Sequence, residues 1–374
     1  MNVLIVGGGL QALSTGASLY GKGHMIDIVS NDLQIRKSRY FNRVFSNVSS
    51  TNEDIYTVLK KSQYDVLVPM GDKNVTFLSK DKDYIESEFG CKCACPNYDL
   101  LSIVEDKHCF MDFCDKHDIS HPVTRALTNE SVEECAETVH FPALIKPDYS
   151  VGARGITRVD TLEELKDKYP VICEKFGPCT LQEYIENKDY YFNVMLYRTE
   201  DGRFLAQTII KIVRMYPVTA GSSSCCISVE NDDLLNLCKD CLDKLGWVGM
   251  ADFDVLQRLD NEEYKIIEIN ARVPASLKAA AISGVNFPEV IALNTMGQEV
   301  PQYEYTPGKW MRYLGLDIMW LLKSHKLFNN NPSWFHFFGN NVYYQDIYQQ
   351  DSSTWWTWLA EGITKINKRN QRVR

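Results

Sequence analysis

Two runs of polar–apolar alternation joined by a polar turn constrain this chain more than any other feature. Asp252-Phe253-Asp254-Val255-Leu256 alternates, and so does the run from Lys265 to Ile269, so both read as strands of period two. Leu259-Asp260-Asn261-Glu262-Glu263 lies between them and predicts a turn closing an antiparallel hairpin. In such a pair Asp254, Glu268 and Asn270 can project from one face. That face would offer hard oxygen donors of the kind Mg²⁺ prefers, with coordination completed by water and phosphate. Arg272 follows two residues later, where a guanidinium could neutralise charge on a phosphoryl group in transit. Taken alone, the hairpin fits a solvated strand edge with ordinary surface charges equally well.

Earlier segments change that balance. Phe141-Pro142-Ala143-Leu144-Ile145-Lys146-Pro147 reads as a short buried strand delivering one lysine at its end. Ser150-Val151-Gly152-Ala153-Arg154-Gly155-Ile156 follows, a glycine-bearing loop with basic residues. Glycines let backbone N–H groups close around phosphate oxygens, and a lysine ammonium supplies a compact positive charge. Thr180-Leu181-Gln182-Glu183-Tyr184-Ile185 is strand-like and runs into the polar turn Glu186-Asn187-Lys188-Asp189, after which a new strand spans Tyr190 to Tyr197.

The ordered set (lysine, glycine loop, Gln-Glu-Tyr-Ile hinge, then Asp…Glu-x-Asn-x-Arg) resembles the ATP-grasp superfamily over Ile103 to Val300, in particular carbamoyl-phosphate-synthase-like proteins and carboxylate–amine ligases. That resemblance implies ATP clamped between two α+β subdomains, with Mg²⁺ (or Mn²⁺ in its place) as the metal. It matches Lys107 and Lys146 to the two ATP-contacting lysines. Gln182, Glu183, Tyr184 and Ile185 match the hinge on the adenine edge, and Asp189 the acidic residue on the ribose hydroxyls. Asp254, Glu268 and Asn270 match the metal ligands, and Arg272 the arginine near the transferred phosphoryl group. Lys211 and Arg214 are candidate triphosphate contacts, and Gly152, Arg154 and Gly155 belong to the flexible loop. The loop is poorer in glycine than in many relatives, so Arg154 would replace a backbone contact. The first metal ligand is aspartate where many relatives have glutamate.

Composition narrows the alternatives. The chain has 374 residues, 45% hydrophobic and 24% charged, enough for two or three domains with their own cores. Its 40 basic and 49 acidic residues give a net charge of -9, which argues against a general nucleic-acid binder. Met1-Asn2 leads straight into an apolar strand without a basic leader, and no apolar run approaches a membrane span. We therefore expect a cytoplasmic protein without nucleic-acid or membrane partners, whose 12 cysteines stay reduced. Cys91-x-Cys93-x-Cys95 and Cys238-x-x-Cys241 lie far apart with no histidine pair beside them, so small core residues fit better than zinc ligands. His108, His117 and His121 fit surface or capping positions better than an acid–base set.

The expected organisation is an α/β Rossmann-like domain over residues 1–101, an α+β ATP-grasp domain over 102–300 with its lid at about 122–180, and an aromatic-rich helical extension over 301–374. Gly7-x-Gly9-x-x-Ala12, with Asp32 downstream, has the form of a dinucleotide fingerprint, although a tight strand-to-helix turn needs glycine with or without a ligand. Asp72 ends a buried strand at the crevice side of that sheet, where it would either contact the acceptor or cap a turn. Helices are expected to start at Asp106, at Thr128 and at Thr161, the last in the form of a capping box. Ser276 and Lys278 open a small-residue helix, where related ligases often bind the carboxylate. Six of the seven tryptophans fall after Tyr303, and Asp317 to Lys323 and Thr354 to Ile366 look helical.

What the resemblance implies is an ADP-forming ligase. ATP would phosphorylate a small-molecule carboxylate, and an amine or other nucleophile would displace phosphate. Dimers are common in that superfamily, so a homodimer is expected. The rival readings are a non-catalytic ATP-binding protein of the same fold and an NAD-dependent oxidoreductase built on Gly7 to Ala12.

Overall fold

The computed structural model describes residues 1–46, 52–149, 155–218, 221–324, 326, 328, 332–348 and 351. Its strands form three sheets. The first is parallel, with strands Asn2–Val6 (β1), Met25–Val29 (β2), Arg43–Phe45 (β3), Val66–Pro69 (β4) and Lys92–Cys93 (β5) in the order β3-β2-β1-β4-β5. β1 and β4 are continuous apolar runs because helices cover both faces of a sheet of this kind. The glycine turn after β1 is closed from within the chain. Gly9, at φ 91°, donates its N–H to the Asp32 carboxylate at 2.6 Å, and a Cβ on Gly8 would strike that same carboxylate. A negative side chain thus sits where a dinucleotide would place its phosphates, so these glycines are structural.

The second sheet carries Thr124–Leu127 (β6), Ala143–Pro147 (β7), Thr157–Val159 (β8) and Cys179–Glu183 (β9) in the order β6-β9-β7-β8, all antiparallel. Helices Val132–Val139 and Leu162–Phe176 bury Val132, Cys135, Leu165 and Ile172 against it. Thr161 caps the second helix by accepting the Glu164 N–H at 3.2 Å, and the Glu164 carboxylate reaches back to the Asp160 N–H at 3.3 Å. The first helix starts later than Thr128 predicts: Ser131 is its N-cap residue, and Thr128 exchanges hydrogen bonds with Ser131 instead. The expected helix at Asp106 spans Lys107–Lys116, capped by Asp106.

The third sheet contains Tyr191–Arg198 (β10), Phe204–Tyr216 (β11), Ser222–Val229 (β12), Gly249–Gln257 (β13), Tyr264–Asn270 (β14), Trp310–Arg312 (β15) and Val342–Tyr344 (β16), ordered β14-β13-β10-β11-β12-β15-β16. The C-terminal part is therefore not a purely helical extension. It donates two strands to this sheet, and between them helix Leu314–Ser324 packs on β11 and β12. Asp317 of that helix is fully buried between two guanidiniums. Arg214 Nε donates to it at 2.7 Å and Arg312 Nε at 2.9 Å. Trp320 is buried beside Arg214, and Trp334 Nε1 donates to the Asp317 carbonyl at 3.2 Å. The expected helix over Thr354 to Ile366, with Trp355, Trp356 and Trp358, lies outside the described residues.

The described cysteines form no disulfide, and Cys91, Cys93, Cys95, Cys238 and Cys241 are buried core residues. No helix among the described residues is long and apolar enough to cross a membrane.

Candidate active site

The site is built on the hairpin. β13 and β14 pair antiparallel with Asp254 opposite Glu268 and Asp252 opposite Asn270, so all four side chains leave the same face. β10 continues that face with Asn193 opposite Asp254, and the Asn193 amide donates to the Asp254 carboxylate. Burial pushes the Asp254 carboxyl well above the usual range, and the Glu268 and Asp252 charges push it further. Asp252 is displaced in the same direction, by burial first, and its Oδ1 has no hydrogen-bond partner among the described residues. Carboxylates crowded on one half-buried face are costly together unless a cation joins them. With the Asn270 amide beside them they fit a hard divalent ion such as Mg²⁺. Two carboxylates and an amide need water and ligand oxygens to complete six positions. Accordingly, no group of three or more His, Cys, Asp or Glu side chains among the described residues holds an ion by itself.

Arg272 follows β14. Its Nη2 donates to Asn270 Oδ1 at 3.1 Å, and its Nε donates to Asp72 Oδ1 at 2.6 Å. Asp72 opens the helix after β4, so the first sheet reaches across and orients the arginine. Lys146 lies at the end of β7 in the second sheet, buried, with its ammonium donating to the side-chain amide oxygen (Oε1) of Gln182. Burial lowers its pKa to about 8, the Glu268 and Asp254 carboxylates raise it, and Lys107 lowers it. The Lys146 ammonium on the second sheet thus lies near enough to the acidic face of the third to feel its charges. Lys107 Nζ donates to the Asp148 carbonyl at 3.3 Å at the base of the loop that follows β7. Gly155 ends this loop at φ 79°, where a side chain would collide with Pro147 and Phe176, whereas Gly152 and Arg154 lie outside the described residues.

At the hinge, the Gln182 amide donates to Thr124 at 2.9 Å, the Glu183 carboxylate takes Arg258 and the Val123 N–H, and Tyr184 N–H donates to Pro142. Ile185 is buried, and Arg158 lies over the Tyr184 ring at 4.4 Å. Asp189 stands exposed in the turn at φ 60°, 3.1 Å from Lys326.

Three expected contacts lie elsewhere. Lys211 pairs with Phe192, not with Asn193, so it leaves the opposite face of the sheet, where its ammonium sits 3.6 Å from the Tyr190 ring centroid. Arg214 follows a β-bulge after Ile212 and is consumed by Asp317 and the Pro332 carbonyl. Lys278 gives its ammonium to the carbonyls of Tyr344, Gln345 and Ile347, and burial lowers its pKa to about 7. Ser276 does adjoin the site: buried, it donates to Asn193 Oδ1 at 3.1 Å. Sequence reasoning missed Asp252 and Asn193. The period that selects Asp254 also selects Asp252, whereas Asn193 becomes visible only through the register of β10.

Comparison with known proteins bears on this geometry. The model of the ATP-grasp domain matches residues 104–276. The chain is 23% identical over 299 residues to a carbamoyl phosphate synthase large chain from Thermoanaerobacter sp., covering 76% of this chain and 26% of that one. It is 22% identical over 248 residues to a D-aspartate ligase from Enterococcus faecium, covering 62% of this chain and 58% of that one. The chain thus spans about a quarter of the first of these relatives and little more than half of the second. Among solved structures it is similar in fold, with a TM-score of 0.70 and 13% identity, to the biotin carboxylase domain dimer of Hydrogenobacter thermophilus 2-oxoglutarate carboxylase in complex with MgADP, ADP and bicarbonate. The match covers 83% of this chain and 73% of that one. Together with the parallel N-terminal sheet and the mixed α/β content, these matches identify an ATP-grasp domain within this chain, with carbamoyl phosphate synthase large chains among its homologues.

Proposed function

We propose that this protein is an ADP-forming ligase that activates a small carboxylate as an acyl phosphate for attack by an amine. The observation that carries the reading is the pairing of Asp254 with Glu268 on one face, with the Lys146 ammonium near enough to feel both charges and Arg272 held at the edge by Asp72. In this reading residues 1–101, 102–300 and 301–374 are the pre-ATP-grasp domain, the ATP-grasp domain and a C-terminal extension. Gln182, Glu183, Tyr184 and Ile185 meet the adenine edge, Asp189 the ribose, and Lys107 and Lys146 the phosphates. The loop around Gly152, Arg154 and Gly155 covers them. Asp254, Glu268 and Asn270 would hold magnesium, which would supply positive charge against the phosphates.

The chemistry then needs no protein nucleophile. A carboxylate oxygen takes the γ-phosphoryl group while the bond to ADP breaks, and Arg272 compensates the charge spread over the phosphoryl oxygens. The amine lone pair next attacks the acyl carbon. A C–N bond forms, the C–O bond to phosphate breaks, and the amine proton passes to phosphate or water. The D-aspartate ligase relative supports an amino-acid acceptor class, and the dimeric biotin carboxylase relative supports a homodimer. The test is ADP release from Mg-ATP with pooled carboxylates and pooled amines, beside Glu268→Gln. Release that needs a carboxylate pool and falls at least about a hundredfold in the variant fits the reading. Tight Mg-ATP binding with no release from any pool would make the protein a binding module.

A further inference from the structure

The phenylalanines that are exposed among the described residues all lie in one stretch of the C-terminal part. Phe328 is 79% exposed, Phe335 53% and Phe338 90%. Their rings form a row. Phe328 lies 6.1 Å from Phe335, Trp334 links Phe335 to Phe337 at 5.6 and 4.9 Å, and Phe338 follows 6.5 Å beyond. Trp334 also joins the row to helix Leu314–Ser324 by its bond to the Asp317 carbonyl. That helix buries Asp317 and Trp320, while Ile318 and Leu322 stand exposed one turn apart on its outer side. A contiguous apolar patch of this kind marks a contact surface.

The charge around the ridge is one-sided. From Ile318 through Gln345 there is no Asp or Glu, in a chain with 49 acidic residues and a net charge of -9, whereas Lys323 and Lys326 are present. Lys323 is exposed beside Leu322, and Lys326 reaches Asp189, so the stretch borders the turn that carries that residue. The sequence after Asp351, outside the described residues, continues the pattern. Trp355, Leu359, Ile363 and Ile366 recur at helical spacing, and five basic residues accompany the single acid Glu361. Trp and Phe beside Lys and Arg is the composition of segments that lie in the headgroup region of a bilayer.

Other partners fit less well. Protein interfaces are centred on Trp, Tyr and Arg, but here Trp320 is buried and Trp334 half-buried. The exposed set is Phe, Leu and Ile, which have no polar tip. Single-stranded nucleic acid needs cations tracking a groove, and this surface is a ridge flanked by two lysines. A bilayer takes protruding apolar side chains without a matching pocket, and its anionic headgroups attract the lysines.

We propose that the row Phe328, Phe335 and Phe338, with Ile318 and Leu322 beside it, docks on an anionic lipid bilayer. Docking of this kind spans nothing, so it needs no long apolar helix, and it replaces the expectation of a chain without a membrane partner. The proposal goes beyond the ligase reading and does not rest on it, because binding is read without turnover.

The test is co-sedimentation of the full chain with vesicles of phosphatidylcholine alone and of phosphatidylcholine with phosphatidylglycerol. Partitioning onto the anionic vesicles is expected to exceed that onto the neutral ones at least about tenfold and to weaken in high salt. The double variant Phe335→Ser/Phe338→Ser should lose about tenfold of that binding, with its melting temperature and Mg-ATP binding unchanged. Leu322→Ser, on the helix, should weaken it in the same direction, so the test survives if the double variant fails to fold. Failure to pellet with anionic vesicles would overturn the proposal. So would equal pelleting by wild type and both variants, which would place the contact elsewhere. A dimer in sedimentation analysis that the phenylalanine variant splits, without vesicle binding, would overturn it in favour of a second copy of this chain. Retention on single-stranded oligonucleotides without vesicle binding would overturn it in favour of nucleic acid.

Discussion

At Lys146, two demands meet. In the proposed function its ammonium faces the phosphates, and burial drives its proton off, to a pKa of about 8. Its charge is therefore lost as pH rises through about 8, and the Mg-ATP KM should climb above that pH. Lys146→Arg, whose guanidinium stays protonated, should flatten the profile, and an unchanged slope in the variant would assign the titration elsewhere. The sign for stability is the same as that of a carboxylate in an ion pair and opposite to that of a lysine in one. The unfolded chain keeps the proton up to 10.5 while the folded chain gives it up near 8, so this group's contribution to stability rises with pH across that window. That Asp254, Glu268 and Asn270 share a face is legible in the sequence, because strand period assigns it and the hairpin register agrees. The place of Lys278 is not, because the carbonyls that take its ammonium belong to residues 344, 345 and 347, far along the chain.

Among the elements, the hairpin was readable and the ends of the large sheet were not. β13 and β14 alternate over enough residues to declare themselves, while β15 and β16 have three residues each and carry no period. Alternation also misleads where the partner strand is unknown. Lys211 lies on a clean strand but on the face opposite Asn193 and Asp254, and the bulge after Ile212 turns Arg214 toward a helix that comes a hundred residues later. That arginine belongs to a buried Arg214–Asp317–Arg312 cluster, with all three side chains at most 2% exposed. Asp317→Ala leaves two guanidiniums buried without a counter-charge and should cost about 3–5 kcal/mol in denaturant unfolding. A loss below about 1 kcal/mol would mean that the C-terminal strands are held by other contacts.

At the scale of the whole molecule, side chains carried by different sheets meet one another. Asp72 is the clearest case, reaching from the parallel sheet to aim Arg272. The sequence placed Asp72 at a crevice but offered a substrate or a turn as its partner, since the arginine lies 200 positions away. Asp72→Ala should lower kcat about tenfold to a hundredfold through a misplaced guanidinium, with stability nearly unchanged because the pair is partly exposed. A large fall in melting temperature with normal kcat in the surviving protein would make it a structural tie. The account stands or falls on carboxylate activation, and isotope transfer tests that most directly. With ¹⁸O-labelled carboxylates, Mg-ATP and pooled amines, the account predicts that inorganic phosphate released in turnover carries one ¹⁸O from the carboxylate. Phosphate free of the label, released as fast as ADP, would contradict it.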